Sequence, residues 1–131
     1  MPKLEYFLIA ESFAIDQQTN RVSIFNVLEQ VNLVEATNTG PRINTYAAIG
    51  YWLQEPTDVV GTEYLAGLKL YINGNLSATL GNFSFTFSPN GRARVLFYIQ
   101  GPPIFQAGDL RFELLLNDIH AADHVLSLIH I

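Results

Sequence analysis

The sequence predicts an all-β fold: a single antiparallel β-sandwich of about eight strands, its connection order (immunoglobulin-like or jelly-roll/C2-like) left open. Three observations point there. Apolar residues recur with a period of two, and no helix cap is followed by an i, i+3, i+4 stripe. Turn signals fall at short spacing, at Asn73-Gly74, residues 88–91 and Asn117-Asp118. The 131 residues are 49% apolar and 15% charged, enough for one domain to bury a core without staples.

Each element follows in order. Residues 6–15 are apolar on both faces and read as a well-covered strand. Residues 16–21 (DQQTNR) form a turn, because Asp and Asn bond their own backbone. Residues 22–28 are the second strand, 35–42 a loop broken by Gly-Pro, 43–53 the third strand, and 54–63 a polar loop. Residues 65–72 are the fourth strand, and Asn73-Gly74 opens a hairpin because both residues tolerate positive φ. In NFSFTFS, Phe83, Phe85 and Phe87 alternate with small polar residues, a half-buried strand. Leu76, Ala78 and Leu80 alternate in the opposite phase, so a bulge is expected near Gly81. Residues 93–99 and 110–116 are two more strands, joined by 100–109, and Asn117-Asp118 turns the chain into a last segment. The expected inward set is Phe83, Phe85, Phe87, Val95, Phe97, Ile99, Leu68, Leu70, Ile72, Phe112 and Leu114.

Composition excludes several function classes. There is no cysteine, hence no disulfide, thiolate site or cysteine nucleophile. The amino end carries Glu5 and Glu11 and lacks a signal-peptide pattern, so a cytoplasmic protein is expected. No apolar run approaches the ~18 residues of a membrane span. The net charge of −5 argues against a nucleic-acid partner; only Arg92 and Arg94 sit close together. His120 and His124 are four apart, a metal spacing only on a helix. Asp109, Asn117, Asp118 and Asp123 lack the spacing of a calcium loop. Ser77, His124 and Asp123 make a triad only on paper. Trp52, Tyr46, Tyr51, Tyr71 and Tyr98 could line a groove, though tyrosines with packed rings and wet hydroxyls are the simpler expectation. No catalytic residue, cofactor or metal is therefore assigned.

The surface offers more. If 93–99 pairs with 110–116, then Leu96, Tyr98 and Leu115 form an outward apolar island rimmed by Arg94, Arg111, Glu113 and Gln100. The alternative is that residues 100–109, with Ile104 and Phe105, fold over it. The expected function is a non-enzymatic interaction or assembly module, through a protein partner or self-association. A small-ligand or glycan-binding sandwich, or a hydrolase with an unrecognised site, stands behind it.

Several stretches carry a resemblance. EYFLIAESFAIDQQTNRVSIFNVLEQV, LKLYINGN and AGDLRFELLLND resemble the first hairpin, central hairpin and closing strand of a family of small bacterial all-β proteins. Ala107 stands where that family usually has proline, and Leu110 where it has an aromatic residue. The resemblance implies a β-sandwich and brings no activity, ligand or catalytic residue. Residues 126–131 (LSLIHI) are similar to the in-frame translation of a transposon-end sequencing adapter. That likeness implies a domain of residues 1–125 followed by a non-native tail at 126–131, removable at little more than the cost of an edge strand.

Overall fold

The computed structural model describes residues 1–33, 45–100 and 108–130. Among them the chain forms nine strands and no helix: β1 (Lys3–Ile15), β2 (Val22–Val27), β3 (Gln30–Leu33), β4 (Thr45–Leu53), β5 (Tyr64–Ile72), β6 (Asn75–Phe85), β7 (Arg92–Gln100), β8 (Gly108–Leu116) and β9 (Ile119–His130). They make two sheets, ordered β2-β1-β4-β7 and β3-β9-β8-β5-β6. All pairings are antiparallel except that of β3 with β9. The fold is an all-β sandwich, and among the described residues no helix is long and apolar enough to cross a membrane.

The turns follow from local chemistry. Asn73 and Gly74 take φ of 47° and 84°, and Asn117 and Asp118 take 49° and 63°. Those angles suit two-residue hairpins, whose twist matches the flanking strands. The Asp16 carboxylate accepts the amides of Gln18 (2.8 Å) and Thr19 (3.2 Å), which closes the β1–β2 turn. The expected bulge is present: Gly81 pairs with Leu68, and Thr79 with Lys69, leaving Leu80 as the extra residue.

Between the sheets lies one apolar core. Of the expected inward set, Phe85, Val95, Phe97, Ile99, Leu68, Leu70, Phe112 and Leu114 are buried, and Ile72 and Phe87 pack against them. Phe83 departs from expectation, with 47% of its surface exposed. It pairs with buried Ala66 and so points to the core side, but it stands on the outermost strand of its sheet, where cover runs out. Gly50 keeps two layers close, since a Cβ there would meet Leu114 Cδ2 at 3.0 Å.

Two further expectations are corrected. Strands β7 and β8 are not neighbours: β7 pairs with β4 along its length, while β8 lies between β5 and β9 in the other sheet. Alternation assigns a strand's faces, not its partners. The ninth strand, β3, was missed because four residues carry too little pattern. Residues 126–130 continue β9, and Leu126 is fully buried in the core, so removing this segment would cost more than an edge strand. The loop at 35–42, and the cover expected from Ile104 and Phe105, lie outside the described residues.

Candidate functional site

The two sheets present outer faces of different character. On the four-stranded sheet, β7 turns Arg92, Arg94, Leu96 and Tyr98 outward, opposite Leu53, Tyr51, Ile49 and Ala47 of β4. Ala10, Ala47 and Ile49 on this face are fully or almost fully buried yet stand apart from the central core. Past Ala10, β1 pairs only with β2, and this two-stranded ribbon reaches back toward β7. The Phe13 ring lies 5.2 Å from that of Tyr98, and Arg94 Nη2 donates to the Asn20 carbonyl at 3.1 Å. Tyr98 nevertheless keeps 80% of its surface exposed, with Phe25 (49%) and Val27 (39%) exposed on the ribbon.

Between the ribbon tip and the sheet runs an open groove of about 440 Å³. One wall is Thr19, Asn20, Arg21 and Val22; the other includes Tyr6, Tyr51, Arg92 and Arg94. The rings of Tyr6 and Tyr51 stack at 5.3 Å and 16°. Arg92 Nη1 donates to the Tyr51 hydroxyl at 2.8 Å. Arg94 Nε is buried and has no hydrogen-bond partner among the described residues. No Asp or Glu lines the groove, and none pairs with its three arginines among the described residues.

The outer face of the five-stranded sheet holds a closed polar cluster. Tyr71 donates to Glu113 Oε1 at 3.0 Å, and His120 Nδ1 lies 2.7 Å from Glu113 Oε2. Arg111 donates to Asp123 at 2.9 Å, and its guanidinium sits 3.9 Å from the centre of the Tyr71 ring. Partial removal from water would push the Glu113 carboxyl up, but hydrogen bonds from His120 and Tyr71, with the charge of Arg111 nearby, hold it below its ordinary value. The same bond to Glu113 pushes the Tyr71 hydroxyl up.

A second bulge builds this cluster. Leu114 pairs with Ala122 and Leu115 with His120, so Ala121 is the extra residue. Residues three apart on a regular strand face opposite sides; the bulge brings His120 and Asp123 to one face. Donor atoms of Glu113, His120 and Asp123 lie within 4.8 Å of one another, the atom types a divalent cation takes. They are already engaged with each other and with Arg111, so a cation would have to displace Arg111 from Asp123.

The remaining expected constellations are taken apart. The island divides between the sheets: Arg94, Leu96 and Tyr98 lie on one, Arg111 and Glu113 on the other, and Leu115 is buried at 6% exposure. His124 turns away from His120, its Nε2 lying 2.6 Å from the Leu28 carbonyl, and Ser77 is three strands away on β6. Asp109 bonds Ser127 at one end of β8, while Asn117 accepts the Leu65 amide at the other. The aromatic groove does not form as a unit, because Trp52 and Tyr46 are core residues at 2% and 4% exposure. Burial pushes the Tyr46 hydroxyl up to about 12. A pocket of about 190 Å³ touches Trp52, smaller than sites that hold drug-sized ligands. Sequence reasoning saw Arg92 and Arg94 as neighbours; nothing in the sequence signalled that Arg21 would join them.

No protein-family model matches the chain, and no curated protein does. Among solved structures it is similar to an alkylpurine DNA glycosylase, AlkC, of Pseudomonas fluorescens, solved bound to DNA containing an abasic-site analogue. The TM-score is 0.58 and identity 11%, over 98% of this chain and 30% of that one. The chain thus matches under a third of that protein's length, and the likeness is one of fold. Another solved structure, the N-terminal domain of PorA, overlaps 95% of this chain and 97% of its own at 9% identity, with a TM-score of 0.26.

Proposed function

We propose that the protein is a non-enzymatic interaction module of the cytoplasm that works through the outer face of its four-stranded sheet. The observation that carries this reading is Tyr98, 80% exposed beside apolar neighbours and on the same strand as Arg92 and Arg94. A large exposed aromatic ring among apolar neighbours is common at a contact surface, and Tyr and Arg are the residues that tend to dominate one. The occupant is a second copy of the chain or a protein partner. Nucleic acid fits poorly with a net charge of −5. A small-ligand sandwich is the second reading, supported by the arginine groove.

Sedimentation tests the surface. The parent's mass should rise above its 14.6 kDa with concentration, and Tyr98→Ser with Phe25→Ser should return it to the monomer. Leu115 is unsuited as a probe, since at 6% exposure its substitution would report on folding. A parent that stays monomeric at every concentration overturns self-association. A mass that rises but ignores the double substitution overturns the surface.

A further inference from the structure

Three of the chain's seven Lys and Arg residues gather at one groove in a protein of net charge −5. An acidic protein gains nothing in solubility by collecting cations without counter-charges. Surface arginines commonly find a carboxylate, as Arg111 does in Asp123. Arg21, Arg92 and Arg94 have none among the described residues, and the N–H at Arg94 Nε is buried with no acceptor. A hydrogen bond from a guanidinium of the lining to an entering carboxylate is charge-assisted and about twice as strong as a neutral one.

We infer that this groove is a binding site for an acidic, extended peptide segment of a partner protein. The inference rests on the interaction reading above and names the partner's chemistry. Carboxylates match the planar fork of each guanidinium. Arg92 and Arg94 are alternate residues of one strand, roughly 7 Å apart, which is the spacing of alternate side chains on an extended chain laid beside it. The groove is open and its lining on this strand ends at Arg94, with Leu96 and Tyr98 farther along the same strand and outside it. A free phosphate is usually cradled by a ring of backbone N–H groups at a glycine-rich turn; the donors described here are side chains, and none of the lining residues is glycine.

Fluorescence anisotropy with a labelled octapeptide, Thr-Glu-Thr-Glu-Thr-Leu-Thr-Leu, tests it on the full chain. The same peptide with Gln for Glu is the control, and inorganic phosphate and phosphatidylserine vesicles are separate arms. The Glu peptide should bind, and the Gln peptide should bind about tenfold more weakly, on the scale of two exposed ion pairs. Arg92→Gln should weaken binding about threefold to fivefold, as should Arg21→Gln, while Lys69→Gln on the other sheet leaves it unchanged. Circular dichroism confirms that each variant folds. Equal binding of both peptides, no binding of either, or indifference to the arginine substitutions overturns the inference. So does binding of phosphate or vesicles in place of the peptide. Tyr98→Ser separates the two proposals, because Tyr98 lies outside the groove. Peptide binding that survives alongside a monomeric parent keeps this inference and removes self-association. Self-association without peptide binding does the reverse.

Discussion

The outer faces of the two sheets use the same residue types to opposite ends. Both carry arginine beside tyrosine. On the five-stranded sheet Arg111 is paired with Asp123 and laid over Tyr71, whose hydroxyl is bound to Glu113, itself held by His120. On the four-stranded sheet Arg92 also meets a tyrosine hydroxyl, but among the described residues no carboxylate lines the groove and none pairs with Arg21, Arg92 or Arg94. The first arrangement satisfies its own charges; the second leaves charge directed outward. A charged residue therefore indicates binding only through what surrounds it, and composition cannot supply that.

The strongest way to break the comparison is to remove the core beneath both faces. Phe85 is buried against Trp52 and Tyr64, so Phe85→Ala should cost about 3–5 kcal/mol in a urea titration. Leu126→Ala should cost about 2–5 kcal/mol, since that side chain is fully buried. Phe83→Ala, at 47% exposure, should cost under about 1 kcal/mol. Equal losses at Phe83 and Phe85 would mean that β6 does not lie at the edge of the core.

Breaking the closed cluster comes next. Glu113→Gln weakens the bonds from Tyr71 and His120 and should cost about 1 kcal/mol near neutral pH. Because the folded Glu113 carboxyl titrates below its ordinary value of 4.5, its contribution is fully present above that pH. The contribution is lost as pH falls through the lower folded value. The acid limb of stability should therefore be shallower in Glu113→Gln than in the parent, while the neutral limb runs parallel. Identical acid limbs would remove Glu113 from the network.

The smallest effects sharpen the contrast most. Arg111→Ala should cost about 0.5–1 kcal/mol, the value of an exposed pair with a ring beneath it. Arg92→Ala should change thermal stability by no more than about 0.5 kcal/mol. If Arg92 proved as costly as Arg111, the groove arginines would be structural, and the two faces would not differ in purpose.

Much of the fold was legible in the sequence. The alternation of Phe85 and Phe87 with Ser84 and Thr86, the phase change before Gly81, and the hairpin at Asn73-Gly74 each rest on interactions between near neighbours in the chain. Such features appear wherever the residues appear, because a strand's period and a turn's φ angles are local properties. The sites were not legible. Which sheet β7 and β8 join depends on crossings between sheets. The meeting of His120 with Asp123 depends on one extra residue in β9, and that of Arg21 with Arg94 on a ribbon reaching across a sheet. Strand faces are fixed by alternation along the backbone, whereas strand partners and surface neighbours are fixed by burying the whole apolar set at once. By itself the sequence determined an all-β sandwich with its core faces; only the tertiary structure decided which charges meet and which are left facing outward.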